Sequence, residues 1–124
     1  MRRLPLSLIV LVGLHATALA DPLPAPSFWQ NNRGSQLQIV SVNANGVVRG
    51  FFTNYAEGYH CKGIRYPAIG RTSPAVTIFT VNFVKCRSVT TWTGTVQGGF
   101  MPSAWVLRHN GQTQTGSDFF YRIN

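Results

Sequence analysis

Basic residues never cluster in this sequence. After the N-terminal Arg2 and Arg3, the lysines and arginines stand singly (Arg33, Arg49, Lys62, Arg65, Arg71, Lys85, Arg87, Arg108, Arg122). The net charge of +8 therefore reads as solubility rather than as a track for nucleic acid or another polyanion. Acidic residues are scarcer still: Asp21, Glu57 and Asp118 are the whole set. Cysteine is limited to Cys61 and Cys86, and two thiolates without suitably spaced histidines cannot fill a tetrahedral zinc site. No serine or cysteine has a base beside it in sequence, and His60 and His109 fall in loop segments, which speaks against nucleophilic catalysis. Only one long apolar run occurs, from Leu4 to Leu14. It is shorter than the roughly 20 residues a membrane helix needs. Helical spacing of apolar residues is also missing from Phe28 onward, which excludes a helical domain.

Residues 1–20 combine Arg2 and Arg3, that apolar run, and Ala18 and Ala20 framing Leu19. This is the pattern of a signal peptide cleaved after Ala20, and it implies a secreted or periplasmic protein. Cleavage leaves about 104 residues, enough for one domain, and loss of the two arginines lowers the charge from +8 to +6. Export also places both cysteines where thiols oxidise, so one intrachain disulfide is expected. Residues 21–27 (DPLPAPS) hold three prolines and read as an extended leader unable to join a central strand. The domain proper is expected over 28–124.

In that domain, segments rich in Val, Ile, Thr, Phe and Trp alternate with Gly, Asn, Pro and Ser clusters, the signature of an all-β chain. Eight strands are expected: near Ser27 to Asn31, Ser35 to Asn43, Val47 to Asn54, Tyr66 to Arg71, Val76 to Phe83, Ser88 to Gln97, Ala104 to His109, and Asp118 to Ile123. Asn43-Ala44-Asn45-Gly46 supplies the positive φ a tight hairpin requires, and the segment after His109 reads as a similar, looser link. Eight short strands joined by hairpins describe an antiparallel up-and-down barrel, with a sandwich as the other solution. Such a barrel encloses either packed side chains or one small ligand. Period-two alternation places Phe79, Val81 and Phe83 on one face, Ser88, Thr90 and Trp92 on another, and Trp105 with Leu107 on a third. Two hydroxyls alternating in step with an inward tryptophan need partners. Aromatic walls with a few placed polar groups are how small-molecule sites are built.

These segments resemble the avidin and streptavidin family of biotin-binding proteins. WQNNRGS (29–35) is similar to that family's opening W-x-N-x-x-G-S, and VRGFFTN (48–54) to its third strand. FTVNF (79–83) and SVTTWTG (88–94) resemble its fifth and sixth strands, WVLR (105–108) and GSDFF (116–120) its last two. The resemblance implies a non-catalytic barrel that holds biotin and needs no cofactor. It assigns Asn31 and Ser35 as donors to the ureido oxygen, and Asn54 and Asp118 as acceptors for the ureido nitrogens. Thr90 would face the ring sulfur, and Phe83, Trp92, Trp105 and Leu107 would wall the ring and chain. Ser88 would hold the carboxylate tail. A barrel of the same kind drifted to another small ligand, or a secreted inhibitor or interaction module, is the alternative.

Departures from the family pattern are equally specific. Phe52 stands where the family carries a tyrosine donor, and Phe83 where it carries a tryptophan. The connection from His109 to Gly116 lacks the tryptophan by which tetrameric members close a neighbour's site. That lack, together with Cys61 and Cys86, resembles the dimeric, rhizavidin-like branch and implies a homodimer. In that branch a disulfide ties the loop after the third strand to the region before the sixth. The link from Val84 to Arg87 is shorter here than in that branch.

Overall fold

A computed structural model describes residues 20–124; the proposed signal peptide lies almost wholly outside the described residues. Eight strands close into one antiparallel barrel in chain order: β1 (Ser27–Asn31), β2 (Gln36–Val42), β3 (Val47–Thr53), β4 (Arg65–Thr72), β5 (Thr77–Phe83), β6 (Ser88–Gly94), β7 (Phe100–His109) and β8 (Gln112–Arg122). Closure comes from β1 pairing with β8, Asn31 opposite Phe120. No sheet edge is left open.

The expected alternation is most regular in β5 and β6, where every second side chain is buried. Phe79, Val81 and Phe83 have no exposed surface, and Ser88, Thr90 and Trp92 are buried beside them. Trp29, Leu37, Ile39, Val48, Met101 and Phe120 complete a core that fills one end of the barrel. In β2 the period slips once, a bulge between Ile39 and Ser41 that leaves both Val40 and Ser41 exposed and turns Val42 toward the core.

Three strand ends differ from the sequence reading by more than one residue. β6 stops at Gly94, while β7 starts at Phe100 and β8 at Gln112. The link after His109 is the tightest possible hairpin, because Asn110 (φ 51°) and Gly111 (φ 75°) both adopt the left-handed conformation that a two-residue turn demands. The segment 112–117 then pairs with β7 from His109 to Ala104 although its side chains are polar and mostly exposed. At the other end, Asn43 caps the β2–β3 turn by accepting the Asn45 and Val47 amides on its side chain. The proline-rich leader joins no strand before Ser27, yet Leu23 is buried against the core and the Asp21 amide donates to Val96 O. It plugs the closed end of the barrel.

The opposite end stays open. Four connections surround it: the β1–β2 turn, the long loop 54–64 between β3 and β4, the short link between β5 and β6, and the Asn110-Gly111 turn. Val84–Cys86 form a single 3-10 turn, followed by Arg87 in the left-handed region. The expected disulfide joins this turn to the long loop, Cys61 to Cys86, with the two Cα atoms 6.0 Å apart. Loop 54–64 is thereby tied across the mouth as a lid.

Candidate functional site

Inside the open end is a cavity of about 250 Å³ lined by Asn31, Ser35, Phe52, Asn54, Thr90, Trp92, Trp105, Leu107 and Asp118. Nine of the residues singled out in the sequence thus converge from five strands and two loops. Asp118, near the middle of β8, is the only anion on the cavity floor among the described residues, its side chain 3% exposed. It accepts three N–H donors. Trp92 Nε1 (2.9 Å) and Asn31 Nδ2 (3.1 Å) reach Oδ2, and Arg33 Nε (2.9 Å) reaches Oδ1. Bonds to a carboxylate of this kind are shorter and stronger than those between neutral partners.

The neighbouring polar groups are positioned from behind. Asn31 Oδ1 accepts the backbone amides of Arg33 (3.0 Å) and Ser35 (2.9 Å). This side-chain turn closes the β1–β2 connection and fixes the amide plane, and its NH₂ keeps a second proton. Ser35 Oγ accepts the Tyr55 amide at 2.9 Å, which leaves its own proton free to be donated. Asn54 Oδ1 accepts the Ala56 amide at 2.8 Å. A carbonyl oxygen has a second lone pair.

Trp92 is clamped between two rings. Phe79 stacks on it at 4.9 Å with planes 10° apart, and Phe52 tilts against its other side at 4.6 Å. Trp105, paired with Trp92 in the β6–β7 register, extends the aromatic wall beside it. Its ring lies flat over Gly116 of β8, where any Cβ would overlap it. Gly116→Ala should therefore tilt the Trp105 indole into the cavity. We expect ligand affinity to fall about tenfold or more with little change in melting temperature, measured by titration and calorimetry on the same preparation. An unchanged affinity would mean that Trp105 is not a wall of the occupied site.

Two of the residues singled out in the sequence are not part of this cavity's lining. Phe83 is not on the cavity wall. It packs behind the lining, edge-on to Phe52 at 6.0 Å, to Tyr59 at 5.4 Å and to Tyr66 at 5.4 Å. Ser88 lines an adjoining hollow with Tyr59, His60, Lys85 and His109. Tyr59, Leu107 and Gln114 border both spaces. Ser88 Oγ and the Tyr59 hydroxyl are bonded at 2.7 Å.

Tyr59 and Arg33 were not singled out in the sequence. Tyr59 is carried by the lid two residues before Cys61, so its placement depends on the disulfide. Burial raises its phenol above the usual tyrosine value, opposed by the Ser88 bond and assisted by Tyr66. The hydroxyl thus remains a proton donor throughout the neutral range.

A closed eight-stranded barrel with an aromatic-walled cup at one end and a bonded carboxylate at its floor defines a single-site small-molecule binder. The avidin family profile matches residues 20–123. Afifavidin of Afifella pfennigii is 35% identical over 121 residues, covering 87% of this chain and 76% of that protein. Among solved structures, the bradavidin2–biotin complex superposes with a TM-score of 0.79 at 46% identity, over 82% of this chain and all of the other. The rhizavidin–biotin complex gives 0.76 at 31% identity, over 82% and 93%. The chain belongs to the avidin family.

Proposed function

We propose that this protein is a secreted, non-catalytic binder of biotin, with the ureido ring on Asp118 and the chain directed toward the lid. The observation that carries the reading is the state of the polar floor. Asp118 Oδ1 retains one unclaimed lone pair, and Asn31 and Ser35 each retain an unused proton, the complement of an N–H donor and a carbonyl acceptor side by side. The aromatic rings around them exclude water and so strengthen each of these bonds. The biotin complexes of bradavidin2 and rhizavidin support the same assignment. In this pose Trp92, Trp105, Leu107 and Thr90 flank the bicyclic ring, Asn54 accepts the second ureido N–H, and the Tyr59–Ser88 hydroxyl pair meets the carboxylate tail. Ligand binding to the folded state alone raises stability by mass action. Excess biotin should therefore raise the melting temperature, and desthio analogues lacking the sulfur less so. No shift with biotin would contradict the reading.

Export follows from residues 1–20, with the disulfide in support. Association as a homodimer is supported by the missing intersubunit tryptophan and by the outer face of β7 and β8. There the rings of Phe100 and Phe119 meet at 5.3 Å, tilted by 39°, and stand half-exposed beside Tyr121, an apolar patch of the kind that marks interaction surfaces. Light scattering should give twice the chain mass; a stable tetramer would overturn this.

Phe52 replaces a family tyrosine at a point where its ring already lines the cavity. Phe52→Tyr adds a third donor near the ureido oxygen. A net bond contributes about 0.5 to 1.5 kcal/mol, so biotin should leave up to roughly tenfold more slowly. Stopped-flow displacement measures this, and equal or faster release would show that the oxygen is already satisfied.

A further inference from the structure

Beyond the Tyr59–Ser88 hydroxyl pair the mouth of the barrel widens into a second space. This hollow has a volume of about 400 Å³ against about 250 Å³ for the cup. Tyr59, Leu107 and Gln114 border both, so the two are continuous. The disulfide builds its polar wall. His60 directly precedes Cys61 and Lys85 directly precedes Cys86, so the crosslink that ties the lid to the 3-10 turn also brings these two side chains to one hollow. His109 lines it as well, with its ring nitrogens already engaged by Arg87 O at 3.3 Å and Asn110 Nδ2 at 3.1 Å. No carboxylate is among the lining residues.

Lys85 has no counter-charge of its own. The chain holds three acids, and each is engaged elsewhere: Asp21 accepts the Gly98 amide at the closed end, Glu57 pairs with Lys62, and Asp118 pairs with Arg33. An anion that balances Lys85 must therefore come from outside the chain. The ammonium offers three donors and the imidazole of His60 at least one N–H. Attraction to an anion is screened less in a partly enclosed hollow than in open water. A ligand in the cup leads straight to this place. With the ureido ring on Asp118, the carboxyl carbon of biotin lies at the Tyr59–Ser88 pair, on the border of the two spaces. Any substituent joined to that carbon continues into the hollow.

We propose that the hollow is a second subsite, which takes an anionic group joined to biotin through its carboxyl carbon, and that Lys85 recognises the charge. The inference rests on the biotin reading above and extends it beyond biotin itself. Four secondary amides of biotin test it, made with ethanolamine, β-alanine, O-phosphoethanolamine and ethylenediamine. They share a two-carbon spacer and end in a hydroxyl, a carboxylate, a phosphate and an ammonium. Dissociation constants are measured by competition at low ionic strength on the parent, Lys85→Gln, Lys85→Arg and Arg49→Gln. The parent should bind at least one of the two anionic amides about fivefold more tightly than the neutral one, and the cationic amide more weakly than the neutral one. A gain for the carboxylate alone assigns the subsite to acidic peptide-like extensions, and a gain for the phosphate alone to phosphoryl groups. Lys85→Gln should bring the anionic amides to within about twofold of the neutral one while its affinity for the neutral amide stays that of the parent, which separates lost recognition from lost fold. Lys85→Arg should keep the preference, since the charge stays. Arg49→Gln, on the exposed outer face of β3, removes a charge elsewhere and should keep it too. Added salt should weaken the parent's preference. Equal binding of all four amides by the parent, or binding of biotin but of none of its amides, overturns the subsite and leaves the biotin reading intact. A preference that survives in Lys85→Gln, or that falls as far in Arg49→Gln, overturns the assignment to Lys85. Failure of the parent to bind biotin overturns both readings.

Discussion

Asp118→Ala is expected to cost at least about 100-fold in biotin affinity and to lower the melting temperature at the same time. The carboxylate serves the ligand and the barrel together. Removing it leaves a ligand N–H without its acceptor and strands the Trp92 indole N–H and the Asn31 amide, both buried. Each unpaired buried donor costs about 1 to 3 kcal/mol. Asp118→Asn separates the two roles. Its amide oxygen can still accept from Trp92 and Asn31, so the barrel should melt close to the parent temperature, while the NH₂ that replaces Oδ1 offers no lone pair to the ligand N–H or to Arg33 and affinity falls at least about tenfold. Titration calorimetry and thermal unfolding of both variants decide the matter. Full affinity in both would place the ligand's donors away from β8.

The second large effect concerns the lid. The Cys61–Cys86 bond closes a loop across 25 residues of sequence and holds Tyr59 over the site. In the chain-entropy account such a crosslink stabilises a domain by about 3 kcal/mol. For a chain of this size that corresponds to about 10 to 20 °C in melting temperature. The Cys61→Ser, Cys86→Ser double variant should show this loss by calorimetry. It should also bind biotin more weakly, with the deficit mainly in faster release, because loop 54–64 would have to be ordered by the ligand itself. A double variant melting within about 2 °C of the parent would mean that the lid is held by packing alone.

How much of this was legible in the sequence depends on where each residue's environment is decided. The inward faces of β5 and β6 follow from alternation, because both strands are buried on one side only and Thr, Val and Trp mark that side unambiguously. The first half of β8, Gln-Thr-Gln-Thr-Gly, was illegible as strand because it carries no apolar face at all. Its pairing is imposed by the Asn110-Gly111 turn and by β7. The start of β7 was obscured by Pro102, whose carbonyl nonetheless accepts the Thr95 amide. Asn31, Ser35, Asn54 and Asp118 were found through flanking motifs, whereas Arg33 lay inside one of those motifs unnoticed. Its role arises only when the β1–β2 turn folds over a residue 85 positions away. Tyr59 was hidden for a similar reason, since a disulfide sets the path of its loop. Phe83 was placed on the wall by analogy with a larger ring, and with the smaller one the wall is made by Phe52 and the lid.

The central claim is that the free lone pair of Asp118 and the free protons of Asn31 and Ser35 form one site for a cyclic urea inside the barrel. Calorimetric titration of the mature, oxidised protein with biotin tests it most directly, read alongside the fluorescence of Trp92 and Trp105. The account predicts a saturable isotherm with one biotin per chain, favourable enthalpy from the polar floor, a negative heat-capacity change from burial of the rings, and a fluorescence change that saturates at the same ratio. An absence of heat and of any fluorescence change up to about 1 mM biotin, the concentration at which binding would be weaker than about −4 kcal/mol, would contradict it.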